Sequence, residues 1–242
     1  IGLSPSQRLA DALAAAVTAH PDAEALILLG DLTHHGTDIE YAELKRLLAA
    51  VTLPVIPMLG NHDRRDAFLR AFPDAPQMPS GHIQQWRDFG QHRVVTLDSL
   101  DGPPFVDGHH SGRLCDTRRA FLEDALATRN GRHAVVCIHH PPFETGIVGM
   151  DCIALAEGAA FLDLLAQHGD VHLICGHIHR TISGSARGVP WSMFKSPCHQ
   201  GVLDLVQPNS HLSSNDPGAF GVVVLSEDGV VVHREDVGHA NV

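Results

Sequence analysis

The sequence predicts a layered α/β fold built on a largely buried sheet. Two observations carry this. Short apolar runs alternate with longer amphipathic runs along nearly the whole chain, as in βαβ units whose sheet is covered on both faces. Several of those apolar runs end directly on a Gly followed by Asp or Asn, or on a His. Side chains at such positions gather along one sheet edge.

Taken in order, Ser4-Pro5-Ser6-Gln7 is a helix start, with a Ser cap, a Pro at the first helical position and a polar partner three residues on. The Ala-rich run from Arg8 to His20 continues that helix. Ala25 to Leu29 is a short strand, and Ile39 to Ala50 a helix with Leu44, Leu47 and Leu48 on one side. Val55 to Leu59 is a strand, and Arg65 to Phe72 a short helix stopped by Pro73. Arg93 to Leu97 is a strand, Thr117 to Thr128 an amphipathic helix, and His133 to Ile138 an apolar strand. A helix over Ala154 to Gln167 and a strand over Val171 to Cys175 follow. Glu227-Asp228-Gly229 between two apolar runs, Gly221 to Leu225 and Val230 to His233, marks a hairpin. Gln200 to Pro217 lacks a periodic apolar pattern and is rich in Asn, Ser, Asp and Pro, so it is expected to be an irregular lid or oligomer loop. No composition break divides the 242 residues, and a single domain is expected.

Composition excludes more than it selects. No apolar run approaches the ~18 residues of a membrane span. With 17 Lys and Arg against 28 Asp and Glu the formal charge is −11, which argues against a nucleic-acid polymer as partner. The five cysteines are scattered without a Cys-x-x-Cys pair. That pattern builds neither a zinc knuckle nor a disulfide framework, and it favours a reducing, cytoplasmic setting.

Four short pieces carry the chemistry: Gly30-Asp31, Gly60-Asn61-His62-Asp63, His139-His140-Pro141 and Gly176-His177-Ile178-His179. Each follows an apolar run. Together they offer a carboxylate, an amide and imidazoles, a set suited to hard or borderline divalent metals. The two oxygens of Asp31 allow it to bridge two ions, and ions about 3.5–4 Å apart can clamp both oxygens of an in-line phosphoryl displacement. His177 and His179, two apart, share a face in extended backbone. His140 faces away from His139 and belongs to a pocket wall or to the structure. Asp63 either fixes the tautomer of His62 from behind or caps the following helix.

These motifs resemble the calcineurin-like metallophosphoesterases, and their wording is similar to that of class III cyclic nucleotide phosphodiesterases and bacterial glycerophosphodiesterases. The resemblance implies a four-layer α/β/β/α sandwich with two facing mixed sheets. It implies two divalent ions, Mn, Fe or Zn, with a metal-activated hydroxide as nucleophile. One ion would be held by Asn61, His139 and His177 with Asp31 as bridge, the other by Asp31 and His179. His62 would act on the phosphate or leaving oxygen, with Asp63 behind it. Asn61, His62, His140 and His110 would contact a small phosphodiester. Further likenesses are Gly108-His109-His110, Met150-Asp151 and Cys198-His199-Gln200. The family's opening Asp-x-His has no counterpart before Asp31. A further N-terminal strand supplying those ligands is therefore expected. The alternative is a metal-binding regulatory module impaired in catalysis.

Overall fold

Ser4 begins the fold as its sequence requires: its hydroxyl accepts from the Gln7 amide and Pro5 opens helix α1 (Pro5–Ala19). The computed structural model describes residues 2–106, 108–208 and 212–238. β1 (Leu26–Leu29) pairs in parallel with β2 (Val55–Met58), and α2 (Asp38–Leu48) crosses between them. A Thr37–Glu40 capping box starts α2, each side chain satisfying the other's backbone N–H. Next come α3 (Arg65–Ala71), β3 (Gln85–Phe89), β4 (His92–Leu97), α4 (Asp116–Ala127) and β5 (His133–Ile138). A short α5 (Val148–Asp151), α6 (Gly158–His168) and β6 (Val171–Cys175) precede the hairpin β7 (Ile182–Ala186) and β8 (Val189–Met193). The chain ends with β9 (Gln200–Gly201), β10 (Ser213–Ser214), β11 (Ala219–Ser226) and β12 (Gly229–Asp236).

Six strands form one mixed sheet in the order β3-β4-β5-β6-β8-β7, parallel from β4 through β8 and antiparallel at both edges. One face packs on α4 and α6 through Val95, Val136 and Leu173 against Leu122, Leu126 and Leu165. The other face, with Val94, Val135, Cys137 and Ile174, meets Met58, Ile27 and Leu29 of the β1–β2 pair and Val223 and Leu225 of the β11–β12 hairpin. Beyond that second strand layer lie α1 and α2, which contact each other, with α1 also touching β11. The order is helix, strand, strand, helix, as expected. The second strand layer, however, is two separate pairs, β1–β2 parallel and β11–β12 antiparallel, with no ladder between them among the described residues.

Several elements depart from the sequence expectation, β3 among them. α6 starts at Gly158 rather than Ala154. Before it, Leu155 and Ala156 donate to the Pro141 and Gly112 carbonyls, and Glu157 turns through the left-handed region at φ 59°. β7 and β8 were not anticipated, because Ser183-Gly184-Ser185 is polar and Pro190 interrupts the second run. The Gln200 to Pro217 loop contains the short β9–β10 ladder, and residues 209–211 of it lie outside the described part. All five cysteines are free.

Candidate metal centre

Asp31 follows β1, Asn61 follows β2, His139 follows β5 and His177 follows β6. In open α/β sheets ligands gather at the carboxyl ends of parallel strands, and here two parallel pairs from facing layers end on one spot. Glycine permits the approach. A Cβ on Gly30, at φ +90°, would lie 2.5 Å from His139 Nδ1, and one on Gly60 would collide with the Asp31 carboxylate. Asp31, His177 and His179 themselves adopt φ of 51°, 70° and 53°. Left-handed backbone is uncommon away from glycine and clusters at functional sites.

Proton positions follow from the backbone. His139 Nδ1 lies 2.7 Å from the Leu29 carbonyl oxygen. A carbonyl only accepts, so Nδ1 carries the proton and Nε2 faces inward. There it lies 3.2 Å from Asn61 Oδ1 and 3.2 Å from Asp31 Oδ2. Three lone-pair atoms thus converge, an arrangement that requires a proton or a cation between them. The same rule applies to His179, whose Nδ1 donates to the His199 carbonyl at 3.1 Å, and to His62, whose Nδ1 donates to the His34 carbonyl at 2.9 Å. Each keeps Nε2 available. His177 Nε2 is buried with no hydrogen-bond partner among the described residues. A buried, unpartnered imidazole nitrogen beside a carboxylate, an amide oxygen and a second imidazole fits a divalent metal.

Electrostatics agree. Burial works against ionisation of Asp31, yet His139, with His62 and His177, holds its carboxyl well below the usual carboxylate range. Burial pushes His177 down to about 3, helped by His139. Burial and His199 push His179 down to about 4. His139 goes the other way: burial works against its charge, but Asp31 raises it, so without metal a proton can hold the place between them. Neutral His177 and His179 beside an ionised Asp31 are in the protonation states that ligate metal, and binding would displace the proton from His139.

His139, His140 and His177 have ring nitrogens within 4.8 Å of one another. His140 is nonetheless committed elsewhere: Ser99 Oγ lies 2.7 Å from its Nδ1, and its Nε2 donates to the His110 carbonyl at 3.0 Å. His110 Nδ1 in turn accepts from Asn61 Nδ2 at 2.9 Å, which turns Asn61 Oδ1 toward His139. His62 sits beside them, its ring 5.3 Å from His110 and its amide donating to Asp31 Oδ1 at 3.0 Å. His199 stacks obliquely on His179 at 4.6 Å, and His109 pairs with Asp101 at 3.1 Å.

Asp63 takes neither role foreseen for it. Its carboxylate accepts from the Leu32 and Gly60 amides, Thr33 and the Tyr41 hydroxyl. It does not bond His62, and α3 has no side-chain cap. Burial and the nearby Asp31 raise its pKa to about 6. Asp63 therefore braces the ends of β1 and β2 from beneath. Sequence reasoning missed that brace, and also Ser99 and His34, since both act through contacts remote in sequence.

A cavity of about 2110 Å³ opens from this cluster and runs along β1, β11 and the inner face of the six-stranded sheet. Among the described residues no helix is long and apolar enough to cross a membrane.

The chain can be placed among known proteins on these features. A protein named "Probable cyclic nucleotide phosphodiesterase" from Rhodopseudomonas palustris is 39% identical over 235 residues, covering 96% of this chain and 85% of its own length. A "Probable glycerophosphodiester phosphodiesterase GpdQ" from Arcobacter nitrofigilis is 31% identical, covering 90% of this chain and 80% of itself. The structure of GAP50, the anchor in the inner membrane complex of Plasmodium, shares the fold at TM-score 0.66 and 15% identity, over 98% of this chain and 85% of that one. The family model for calcineurin-like phosphoesterases matches residues 5–181, which takes in every cluster residue from Asp31 to His179; the chain belongs to that family.

Proposed function

We propose that this protein is a metal-dependent phosphodiesterase of small phosphodiesters, of cyclic nucleotide or glycerophosphodiester type. The observation that carries this is the convergence of Asp31 Oδ2, Asn61 Oδ1 and His139 Nε2 beside the orphaned His177 Nε2. Asp31, Asn61, His139 and His177 would hold one divalent ion; Asp31 and His179 would contribute to a second, with Mn, Fe or Zn as candidates. When bound, such ions supply Lewis acidity and neutralise charge at a phosphoryl group.

The chain's own groups do the rest. His62, protonated at Nδ1 by its bond to His34, meets substrate with Nε2. In its neutral form it accepts a proton there, and only as imidazolium does it donate one to a leaving oxygen. Asn61 is fixed by His110 so that its oxygen faces the cluster. Ser99 and His140 hold the wall that carries His110. The relatives named for cyclic nucleotide and glycerophosphodiester hydrolysis support the substrate class.

The test is metal analysis of purified protein together with a panel of cyclic nucleotides, glycerophosphodiesters and bis(p-nitrophenyl) phosphate. Hydrolysis that a chelator removes and added Mn, Fe or Zn restores is expected. Metal-loaded protein inert toward the whole panel would overturn the reading.

A further inference from the structure

Arg8 lies on α1 and looks at first like an ordinary helix arginine. Its guanidinium makes four hydrogen bonds, all to neutral oxygens from two segments about 190 residues or more away in sequence. Nη1 donates to the Cys198 carbonyl at 2.6 Å and to the Asp216 carbonyl at 2.9 Å. Nη2 donates to the Asn215 carbonyl at 3.4 Å and to Asn215 Oδ1 at 2.5 Å. Only a planar fork of donors can bridge so many acceptors at once.

Those acceptors sit at a telling place. Cys198 lies two residues before β9, and Asn215 and Asp216 immediately follow β10, the strand that pairs with β9. Arg8 therefore fastens both ends of the Gln200–Ser214 excursion to α1. Between Cys198 and β9 stands His199, whose carbonyl accepts the Nδ1 proton of His179. The short loop is braced within itself as well. Cys198 N donates to Ser196 Oγ at 3.0 Å, and Gln200 exchanges bonds with the Ser196 backbone at 3.1 and 2.8 Å. Beyond the loop, Gly201 N donates to the His179 carbonyl at 3.2 Å and Arg180 Nη1 to the Gly201 carbonyl at 2.8 Å, which ties β9 to the His179 turn; Arg8 adds the tie from the Cys198 side to the helix layer.

We propose that Arg8 is a positioning residue for the His179 and His199 side of the metal centre, acting through the Cys198 carbonyl. It touches neither imidazole, so its effect is on where the His199 carbonyl stands and hence on the aim of His179 Nε2. Displacements of about 1 Å at such a group cost on the order of 10²-fold in rate. The carbonyls that Arg8 releases lie near the surface and can turn to water, so stability should change little. The kinetic part of the test rests on the phosphodiesterase reading; the spectroscopic part does not.

The test compares wild type, Arg8→Met and Arg8→Lys in the metal-free protein, following imidazole Nδ1 protons by NMR, with His179→Gln used for assignment. Arg8→Met is expected to move or exchange-broaden the His179 Nδ1 proton and to leave that of His139, held by Leu29, in place. In the metal-loaded enzyme kcat/KM should fall about tenfold, carried by kcat, and ethylguanidinium added to Arg8→Ala should restore part of it. Arg8→Lys, able to reach only some of the acceptors, should lie between, and serves if Arg8→Met does not fold. An unchanged His179 signal in Arg8→Met, or His179 and His139 signals that move alike, would overturn the proposal. If the wild type hydrolyses nothing, the functional reading fails while the NMR comparison still decides the role of Arg8.

Discussion

His139 donates from Nδ1 to the Leu29 carbonyl across 2.7 Å, and this single bond turns its Nε2 onto Asp31. A strand end in one layer thereby aims a ligand that hangs from a strand in the facing layer. Asp31 is the other half of the arrangement: Oδ2 meets His139 while Oδ1 takes the His62 amide.

Asp31→Ala should therefore empty the centre. It removes the side chain proposed to bridge two ions, and metal content by elemental analysis should fall to background. His179→Ala should chiefly remove one ion, leaving the Asn61, His139 and His177 group loaded. Near-normal metal in Asp31→Ala, or equal loss from both positions in His179→Ala, would contradict the division of ligands.

His62→Ala separates chemistry from assembly. The ring is held by His34 and is not among the proposed ligands, so metal content should persist while kcat falls roughly 10²–10⁴-fold, the range of a positioned acid or base. The loss should shrink for nitrophenolate esters, whose leaving group needs little protonation. A loss equal across leaving groups would instead assign His62 to holding the phosphate.

Asp98 tests the wall behind the site. It is fully buried and takes a bidentate pair from Arg65 at 2.7 and 2.8 Å, together with the Ile83 and Leu100 amides. Arg118 binds the Asp98 carbonyl at 2.8 Å. Breaking a buried pair leaves an uncompensated charge and costs about 3–5 kcal/mol. Asp98→Ala should show that loss in urea unfolding and lower Tm by roughly 10 °C, at about 2–4 °C per kcal/mol. Since Ser99 follows directly, activity should fall as well. A change under about 1 kcal/mol would mean that the arginines find other partners.

The cleft between β1 and β11 makes a fourth expectation. Among the described residues β1 pairs only with β2 and β11 only with β12, and the cavity between them reaches Val94, Val135 and Ile174 of the opposite sheet. Unpaired backbone over an apolar floor is costly. An extended N-terminal segment seated there would pair both edges and end beside Asp31 and His179. In a chain extended at its N-terminus, the amides of Leu26–Leu29 and Phe220–Leu225 should exchange with deuterium far more slowly than in the 242-residue chain. Equal exchange in both would exclude that strand.

The strands that build the site were the legible ones. β1, β2, β5 and β6 read as short, dominantly apolar runs because they line the space between the two strand layers, and each ends within two residues of a glycine or histidine of the cluster. β3 was illegible because its middle residues are exposed, and β8 because Pro190 and Ser192 leave it no continuous apolar run. His140 could be set apart from His139 by strand alternation alone. Asp63 could not be understood that way, because its partner Tyr41 is 22 residues distant and on another element. Arg8 carried no local signal at all: nothing about a helix arginine announces a carbonyl 190 residues away.

Three imidazoles here, His62, His139 and His179, are steered by the carbonyls of His34, Leu29 and His199. A carbonyl belongs to every residue type, so no genetic code change at His34, Leu29 or His199 deletes the acceptor. Mutational scanning there would report on the side chains' own packing and leave untested the carbonyls that direct the aim of the ligands. The layer becomes visible only to chemistry that edits the main chain, such as replacing the peptide bond after Leu29 by a thioamide. The side chains at these three positions have separate duties, Leu29 packing on the six-stranded sheet and the His34 and His199 rings lying against His62 and His179, while the main chain sets the aim.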